Sequence, residues 1–168
     1  VVDWSSDVCS SDLPRAMNPA LTINPDNGFI HIVTSDSVLV IDSGLRQHHA
    51  AVLLAQFYQS ELDHHNGYLW QVYQGASIDG HPAGFSLCFH SGELIQIHFG
   101  LSAPAIDTEN DWPTKESIEQ EIDFLNDAFS RQLSRSFEHG EAQFSWGTAW
   151  ARFDAKGFSA SSGIRYAG

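Results

Sequence analysis

The stretch GFSLCFHSGELIQIHFGL, residues 84–101, decides the fold because apolar and polar side chains alternate along both of its halves. Every second side chain is a large apolar one, namely Phe85, Leu87 and Phe89 in the first half, then Ile95, Ile97 and Phe99 in the second. A period of two predicts two β-strands, each with one buried face. Ser91-Gly92 between them predicts a tight turn. The stretch therefore predicts a β-hairpin of an antiparallel sheet that is covered on one side.

Other segments extend this sheet in both directions along the chain. They are rich in β-branched and aromatic residues and are separated by short polar turns such as Asp79-Gly80, which is typical of antiparallel strands. The further predicted strands cover residues 29–34, 38–41, 68–74, 142–153 and 158–166. Together with the two halves of the opening stretch, this gives about seven strands.

Two segments have the apolar spacing of amphipathic helices. Residues 46–62 place apolar side chains three and four apart, at Ala50, Leu53, Leu54, Phe57 and Tyr58. The second helix follows Thr114, a favourable N-cap, and its apolar stripe is Ile118, Ile122, Leu125, Phe129 and Leu133. The order ββ-α-βββ-α-ββ predicts an α+β fold, a single antiparallel sheet of about seven strands with two helices packed on one face.

Residues 3–13, DWSSDVCSSDL, do not have the pattern of a folding domain or of an export signal. All eleven residues match an in-frame translation of a common short-read sequencing adapter, so the segment resembles an artefact joined to the natural chain. We expect residues 1–16 to lie outside the fold, with Trp4 exposed, and residues 17–168 to form a single α+β domain. Deleting residues 1–13 should leave the thermal midpoint almost unchanged.

Composition limits the classes of partner. The net charge is −13, and without Asp3, Asp7 and Asp12 of the adapter-like segment it is still −10. This acidity argues against nucleic acid as a ligand and favours a basic protein partner. No apolar run approaches the roughly 20 residues of a membrane span. Cys88 is the single cysteine outside the adapter-like segment, so no disulfide can form within the domain and a cytoplasmic location is expected.

The negative charge is concentrated between residues 107 and 127. This segment contains one basic residue, Lys115, and eight acids. The acids are Asp107, Glu109, Asp111, Glu116, Glu119, Glu121, Asp123 and Asp127. An exposed surface of this kind would attract a basic protein and speed its association. We expect six of these acids to form a partner-binding surface, Asp107, Glu109, Asp111, Glu116, Glu119 and Asp123. The alternative is a solubilising helix face in which Asp127 pairs with Arg131.

No catalytic residue, metal ligand or cofactor is predicted. Adjacent histidines occur at His48-His49 and His64-His65, but neighbouring side chains on a helix point about 100° apart and seldom bind one ion. His90 and His98 lie on adjacent predicted strands, where they could meet. A histidine-based metalloenzyme, in which the histidine pairs converge with His90 or His98, therefore stays open as one alternative. Cys88 has the context of a small buried side chain rather than a nucleophile.

The C-terminal region carries an aromatic pattern, in which Phe144, Trp146 and Trp150 fall on one face of a predicted strand. Its Trp146-Gly147 and Asp154-Ala-Lys-Gly157 turn pattern resembles small bacterial immunity-type proteins, which implies a role in neutralising a basic toxin. The order α-βββ-α-ββ is also similar to that of secretion chaperones, which implies a homodimer that binds unfolded effector segments. The aromatic side chains are expected either in the core or as an aromatic binding surface.

Overall fold

The structure, a computed structural model, describes residues 17–102, 108–109 and 112–168. Within these residues it has two α-helices, α1 (Gln47–Leu53) and α2 (Lys115–Leu133), and a 3₁₀ turn at Ala55–Phe57. The strands are β1 (Ala20–Ile23), β2 (Ile30–Val33), β3 (Val38–Ile41), β4 (Tyr58–Asp63), β5 (Tyr68–Ile78), β6 (His81–His90), β7 (Glu93–Leu101), β8 (Thr108–Glu109), β9 (Trp112–Pro113), β10 (Glu141–Phe144), β11 (Gly147–Asp154) and β12 (Ser159–Tyr166).

Ten of the described strands form one sheet in the order β10-β11-β12-β7-β6-β5-β1-β2-β3, with β4 pairing to the first half of β5. All pairings in this sheet are antiparallel except that of β1 with β5, which is parallel and joins Ala20 to Ser77. The α+β class is thus confirmed. The prediction of about seven strands in a purely antiparallel sheet was wrong, because three short strands and the parallel pairing were not predicted.

The opening stretch forms the centre of the sheet. Strands β5, β6 and β7 are joined by the two-residue turns predicted from Asp79-Gly80 and Ser91-Gly92. All four turn residues have positive φ, at 46°, 81°, 51° and 83°. This is the geometry that matches the right-handed twist of the flanking strands. The sequence pattern therefore predicted this part of the sheet and its turns.

Both helices contribute to one hydrophobic core on one side of the sheet. Ala50 of α1 and Leu125 and Phe129 of α2 are almost completely buried in it. The ring of Phe129 lies 5.3 Å from that of Phe99 on β7, and each such side chain contributes about 1.5–3 kcal/mol by leaving water. The predicted cap of α2 is confirmed, because the Thr114 side chain accepts a hydrogen bond from the Ser117 N–H.

The sheet curls around α2, so that the β1–β2 turn meets the turn between β10 and β11. Helix α2 packs on β11, β12 and β1, which are separated by β7, β6 and β5 in the strand order. Trp146, in the turn between β10 and β11, donates from Nε1 to the Pro25 carbonyl at 3.0 Å. The Tyr166 hydroxyl donates to the Gly28 carbonyl, also at 3.0 Å. The β1–β2 turn is thereby attached to the opposite end of the sheet.

The predicted helix over residues 46–62 was wrong beyond Leu53. Ala50, Leu54 and Phe57 do face the core at helical spacing, but the last of them belongs to the 3₁₀ turn. The chain then continues as β4, whose six residues are all exposed. It pairs with β5, with a shift of register between Tyr58 and Ser60. The hydrogen bonds of that ladder outweigh the weak helical preference of a polar, exposed segment.

The predicted strand over residues 142–153 is in fact a hairpin. Ser145 and Trp146 form its turn, so that Phe144 pairs with Gly147. A Cβ atom on Gly147 would lie 1.9 Å from the Arg165 carbonyl oxygen, so that only glycine allows β12 to approach this closely. As a result Trp146 and Trp150 do not share one strand face.

Candidate functional site

The surface predicted to bind a partner includes a row of carboxylates along α2. Glu116, Glu119, Asp123 and Asp127 are all exposed, and their spacing of three, four and four residues aligns them on one helix face. We call these four residues the acidic stripe. With a rise of 1.5 Å per residue, the stripe is about 16 Å long.

Two of the predicted partner-binding residues, Asp107 and Asp111, lie outside the described residues. The backbone of Glu109 belongs to β8, which pairs with β9 just before α2. On β9, Trp112 exposes 76% of its surface close in sequence to the stripe. Of the six predicted residues, Glu116, Glu119 and Asp123 are thus exposed on the acidic stripe, and an exposed indole that was not predicted precedes its N-terminal end.

Glu121, unlike the other acids of α2, is not exposed. It is half-buried, and its carboxylate accepts a hydrogen bond from the Leu101 N–H at 3.1 Å. Burial raises the pKa of Glu121 above its ordinary value, and the hydrogen bond from Leu101 opposes that shift. Glu121 therefore attaches α2 to the end of β7 and is not available to a partner.

The ion pairs around the stripe differ from the expected ones. Lys115 Nζ lies 3.6 Å from Glu119, which is an exposed i,i+4 pair of small energetic value. The predicted pair between Asp127 and Arg131 was wrong, because Arg131 instead pairs with Asp79 in the β5–β6 turn. Among the described residues no ion pair joins Glu116, Asp123 or Asp127, so these three charges face solvent.

The histidines do not converge. His48 and His49 contact each other on α1, with ring centroids 4.0 Å apart. His90 and His98, for which a meeting across adjacent strands was left open, are not paired, because the β6–β7 register pairs His90 with Glu93 and His98 with Ser86. No group of three His, Cys, Asp or Glu side chains in the described part of the chain is placed to hold a metal ion. The metalloenzyme alternative therefore has no ligand set there.

Cys88 is a buried side chain, as its context predicted. Only 1% of its surface is exposed. Burial raises the pKa of the Cys88 thiol to about 11, so the thiolate needed for nucleophilic attack is scarce near neutral pH.

Trp146 and Trp150 occupy different environments. Trp146 stacks on Phe144 at 4.8 Å and belongs to the contact that closes the sheet. Trp150 lies on the opposite side of the sheet from α2, where its Nε1 donates to the Ser161 hydroxyl at 3.0 Å and 6% of its surface is exposed. The alternative of one aromatic binding surface containing both tryptophans was therefore wrong.

A row of rings that the sequence analysis missed crosses the sheet on the side away from α2. His98 contacts Trp70 at 4.7 Å and Trp150 at 5.3 Å between ring centroids, both with edge-to-face geometry. Burial lowers the pKa of His98, and the positive charge of Arg165 lowers it further. His98 is therefore neutral at pH 7 and serves as a spacer between two indoles. The strict alternation of residues 84–101 was the sequence signal that His98 faces away from the core.

In the described residues no helix is long and apolar enough to cross a membrane. Comparison with known proteins returned no match among family models, curated proteins or solved structures.

Proposed function

We propose that this chain is a protein-binding module whose acidic stripe docks onto a basic partner protein. The observation that carries the proposal is the exposure of four carboxylates on successive turns of one rigid helix. The buried face of α2 holds the helix against the sheet, so the stripe keeps a fixed geometry before a partner arrives. A preorganised surface loses little conformational entropy on binding.

Electrostatics supports this role. Without the adapter-like segment the chain carries a net charge of −10, and four of its carboxylates are concentrated in the acidic stripe. Such a surface attracts a basic protein over a distance of about one Debye length, near 8–10 Å in ordinary buffers. The stripe would raise the association rate, and Trp112 would supply apolar contact area beside it.

The partner class follows from the charge and from the C-terminal turn pattern. A basic protein such as a nuclease toxin would present the Lys and Arg side chains that the stripe requires. The resemblance to immunity-type proteins supports a cytoplasmic role in which the chain blocks such a toxin.

Co-purification of charge variants tests this proposal. The chain is co-expressed with the product of the gene beside its own in the intact locus. The double variant Glu119→Lys, Asp123→Lys should fold normally and lose the partner. The matched control, Asp26→Lys, Asp36→Lys, changes the net charge equally at two exposed turn residues and should keep the partner. Retention of the partner by the stripe variant would rule out the stripe as the docking surface.

A second candidate function, that of a homodimeric secretion chaperone, is favoured by one exposed apolar patch. Val33, Val38 and Val40 expose 45%, 53% and 38% of their surface beside β3, the strand that ends the sheet. The strand order supports this candidate less, because four strands of the main sheet, rather than three, lie between the helices. Light scattering separates the two functions, since the chaperone alternative requires a dimer that Val38→Lys converts to a monomer.

A further inference from the structure

The side of the sheet away from α2 contains a cleft of about 500 Å³, within the usual range for small-molecule sites. We call it the outer-face cleft. It lies over β5, β6, β7 and β12, and the residues that line it include His64, Asn66, Trp70, Ile95, Gln96 and Arg165. The inward neighbours of these residues, such as Leu69 and Ile164, belong to the core. The cleft and the acidic stripe are therefore separate surfaces on opposite sides of the sheet.

A β-bulge gives the cleft its apolar wall. The register between β6 and β7 shifts after Cys88, so that Leu94 turns into the core. Ile95 and Gln96 both line the cleft as a result, although strict alternation predicted that Ile95 would be buried with Ile97. The bulge thus places an aliphatic side chain beside a polar one, and the prediction for Ile95 was wrong.

The aromatic wall of the cleft is held in place by its neighbours. The Trp70 ring meets His98 at 70°, and His98 meets Trp150 at 84°. Trp150 in turn lies across Gly163, because a Cβ atom at that position would come within 2.7 Å of the indole. The ring of Trp70 is therefore braced by its neighbours, and its half-buried indole forms the aromatic wall of the cleft, against which a second ring can pack.

Arg165 supplies the cationic group of the cleft. Its Nε donates to the Gln96 side chain at 3.3 Å, and its guanidinium carbon lies 5.8 Å from the centre of the Trp150 ring. Among the described residues no ion pair involves Arg165. The terminal nitrogens of the guanidinium are thus free to bind a carboxylate or phosphate through two parallel hydrogen bonds.

The lining of the cleft is unusual for so acidic a chain. The sequence has 21 Asp and Glu against eight Lys and Arg, yet none of the described residues that line the cleft is an acid. Asp63, in the adjoining β4–β5 hairpin, accepts from the His65 N–H rather than from the Arg165 guanidinium. No carboxylate of the described residues is therefore found in an ion pair with Arg165.

We propose that the outer-face cleft binds a small organic anion, with its flat aromatic ring on Trp70 and its carboxylate or phosphate on Arg165. The polar amides of Asn66 and Gln96 orient the ligand, and Ile95 covers its ring. The thiol of Cys88, which also borders the cleft, stays protonated near pH 7 because burial raises its pKa to about 11.

Two matched probe pairs test the site and separate the two anion types. Indole-3-acetate is compared with the neutral indole-3-acetamide, and phenyl phosphate is compared with phenol. Each is titrated to millimolar concentration into the ¹⁵N-labelled full chain, while the side-chain signals of Arg165 Nε and Trp70 Nε1 are followed by NMR. We expect a charged probe to shift both signals and its neutral counterpart to bind about tenfold more weakly or not at all.

Substitutions of residues that line the cleft test whether the probes bind there. Arg165→Gln should weaken the charged probe about tenfold or more, while Lys156→Gln, an equal charge change at an exposed turn, should not. Trp70→Leu should weaken the binding of both probes of a pair. The thermal midpoint of each variant checks that it folds. Binding of the acetate alone would assign a carboxylate ligand, and binding of phenyl phosphate alone would assign a phosphate. Equal binding of charged and neutral probes, unchanged affinity in Arg165→Gln, or no shift with either charged probe would overturn the proposal.

Discussion

The ring of Trp146 lies directly on Gly28, and this contact joins the β10–β11 turn to the β1–β2 turn across the curled sheet. A Cβ atom on Gly28 would come within 2.4 Å of the indole, and the backbone there has a φ of +71°. Residues 118 positions apart in sequence are thereby packed against each other. The contact joins two turns next to β11 and β1, and both of these strands pack against α2, the helix that carries the acidic stripe.

Gly28→Ala should lower the free energy of unfolding because the added methyl group collides with Trp146. The left-handed backbone costs an alanine about 1–2 kcal/mol, and the collision adds about 1–3 kcal/mol. Urea unfolding measures the sum. Gly80→Ala is the matched control, since Gly80 has a φ of +81° and no atom within 4 Å of an added Cβ. Equal losses of unfolding free energy in the two variants would mean that the collision with Trp146 does not destabilise the fold.

Gly163→Ala should disturb the packing of Trp70, His98 and Trp150 on the side of the sheet away from α2. Its Cβ would lie 2.4 Å from the Ile97 carbonyl oxygen and 2.7 Å from the Trp150 ring, so β12 or the indole has to move. We expect a loss of about 1–3 kcal/mol in urea unfolding and a changed near-ultraviolet circular dichroism signal. Gly100→Ala, on the neighbouring strand β7, is the control. A Cβ atom there would have no atom within 4 Å, so neither the free energy of unfolding nor the circular dichroism signal should fall or change in the same way. A Gly163→Ala variant as stable as the wild type would show that the rings are not tightly held.

The substitution Glu121→Gln should raise the free energy of unfolding, relative to the wild type, by more as pH rises. Burial raises the pKa of Glu121 in the folded state, so the folded protein binds this proton more tightly than the unfolded chain does. The associated stability is present below the unfolded pKa and is lost as pH rises through the folded pKa. A glutamine avoids that loss and can still accept from the Leu101 N–H.

The free energy of unfolding, measured at about pH 4 and about pH 7, tests this prediction. The difference between Glu121→Gln and the wild type should shift in favour of the variant at the higher pH. Glu119→Gln removes the same charge from an exposed position and should show a smaller shift. Identical pH dependence in the two variants would argue against the burial of the Glu121 carboxylate.

Local sequence signals predicted the central part of the fold. The alternation in residues 84–101, the turns at Asp79-Gly80 and Ser91-Gly92 and the Thr114 cap all depend on contacts between near neighbours, which a pattern can reveal. Strand β4 was missed because Ala50, Leu54 and Phe57 reach the core at helical spacing even though the helix has already ended. The Asn66-Gly67 turn after β4 was a hairpin signal that could have corrected this.

Long-range packing accounts for what the sequence could not predict. The exposure of Glu116, Glu119 and Asp123 followed from helix periodicity, but the burial of Glu121 depends on where β7 ends. The outer-face cleft depends on the bulge at Ile95 and on the approach of β12 to β7, which brings Arg165 beside Gln96. No spacing within one segment contains that information.

The salt dependence of the association rate tests the central claim, that the acidic stripe binds a basic partner, most directly. Stopped-flow association with the co-purified partner is measured at low and high salt for the wild type, Glu119→Lys with Asp123→Lys, and the control Asp26→Lys with Asp36→Lys. We predict a wild-type rate that falls steeply with salt, and a stripe variant that is slower by about tenfold or more at low salt with a flatter slope. The control should keep most of the wild-type rate and slope. A stripe variant that associates at the wild-type rate with the wild-type salt slope would contradict the claim.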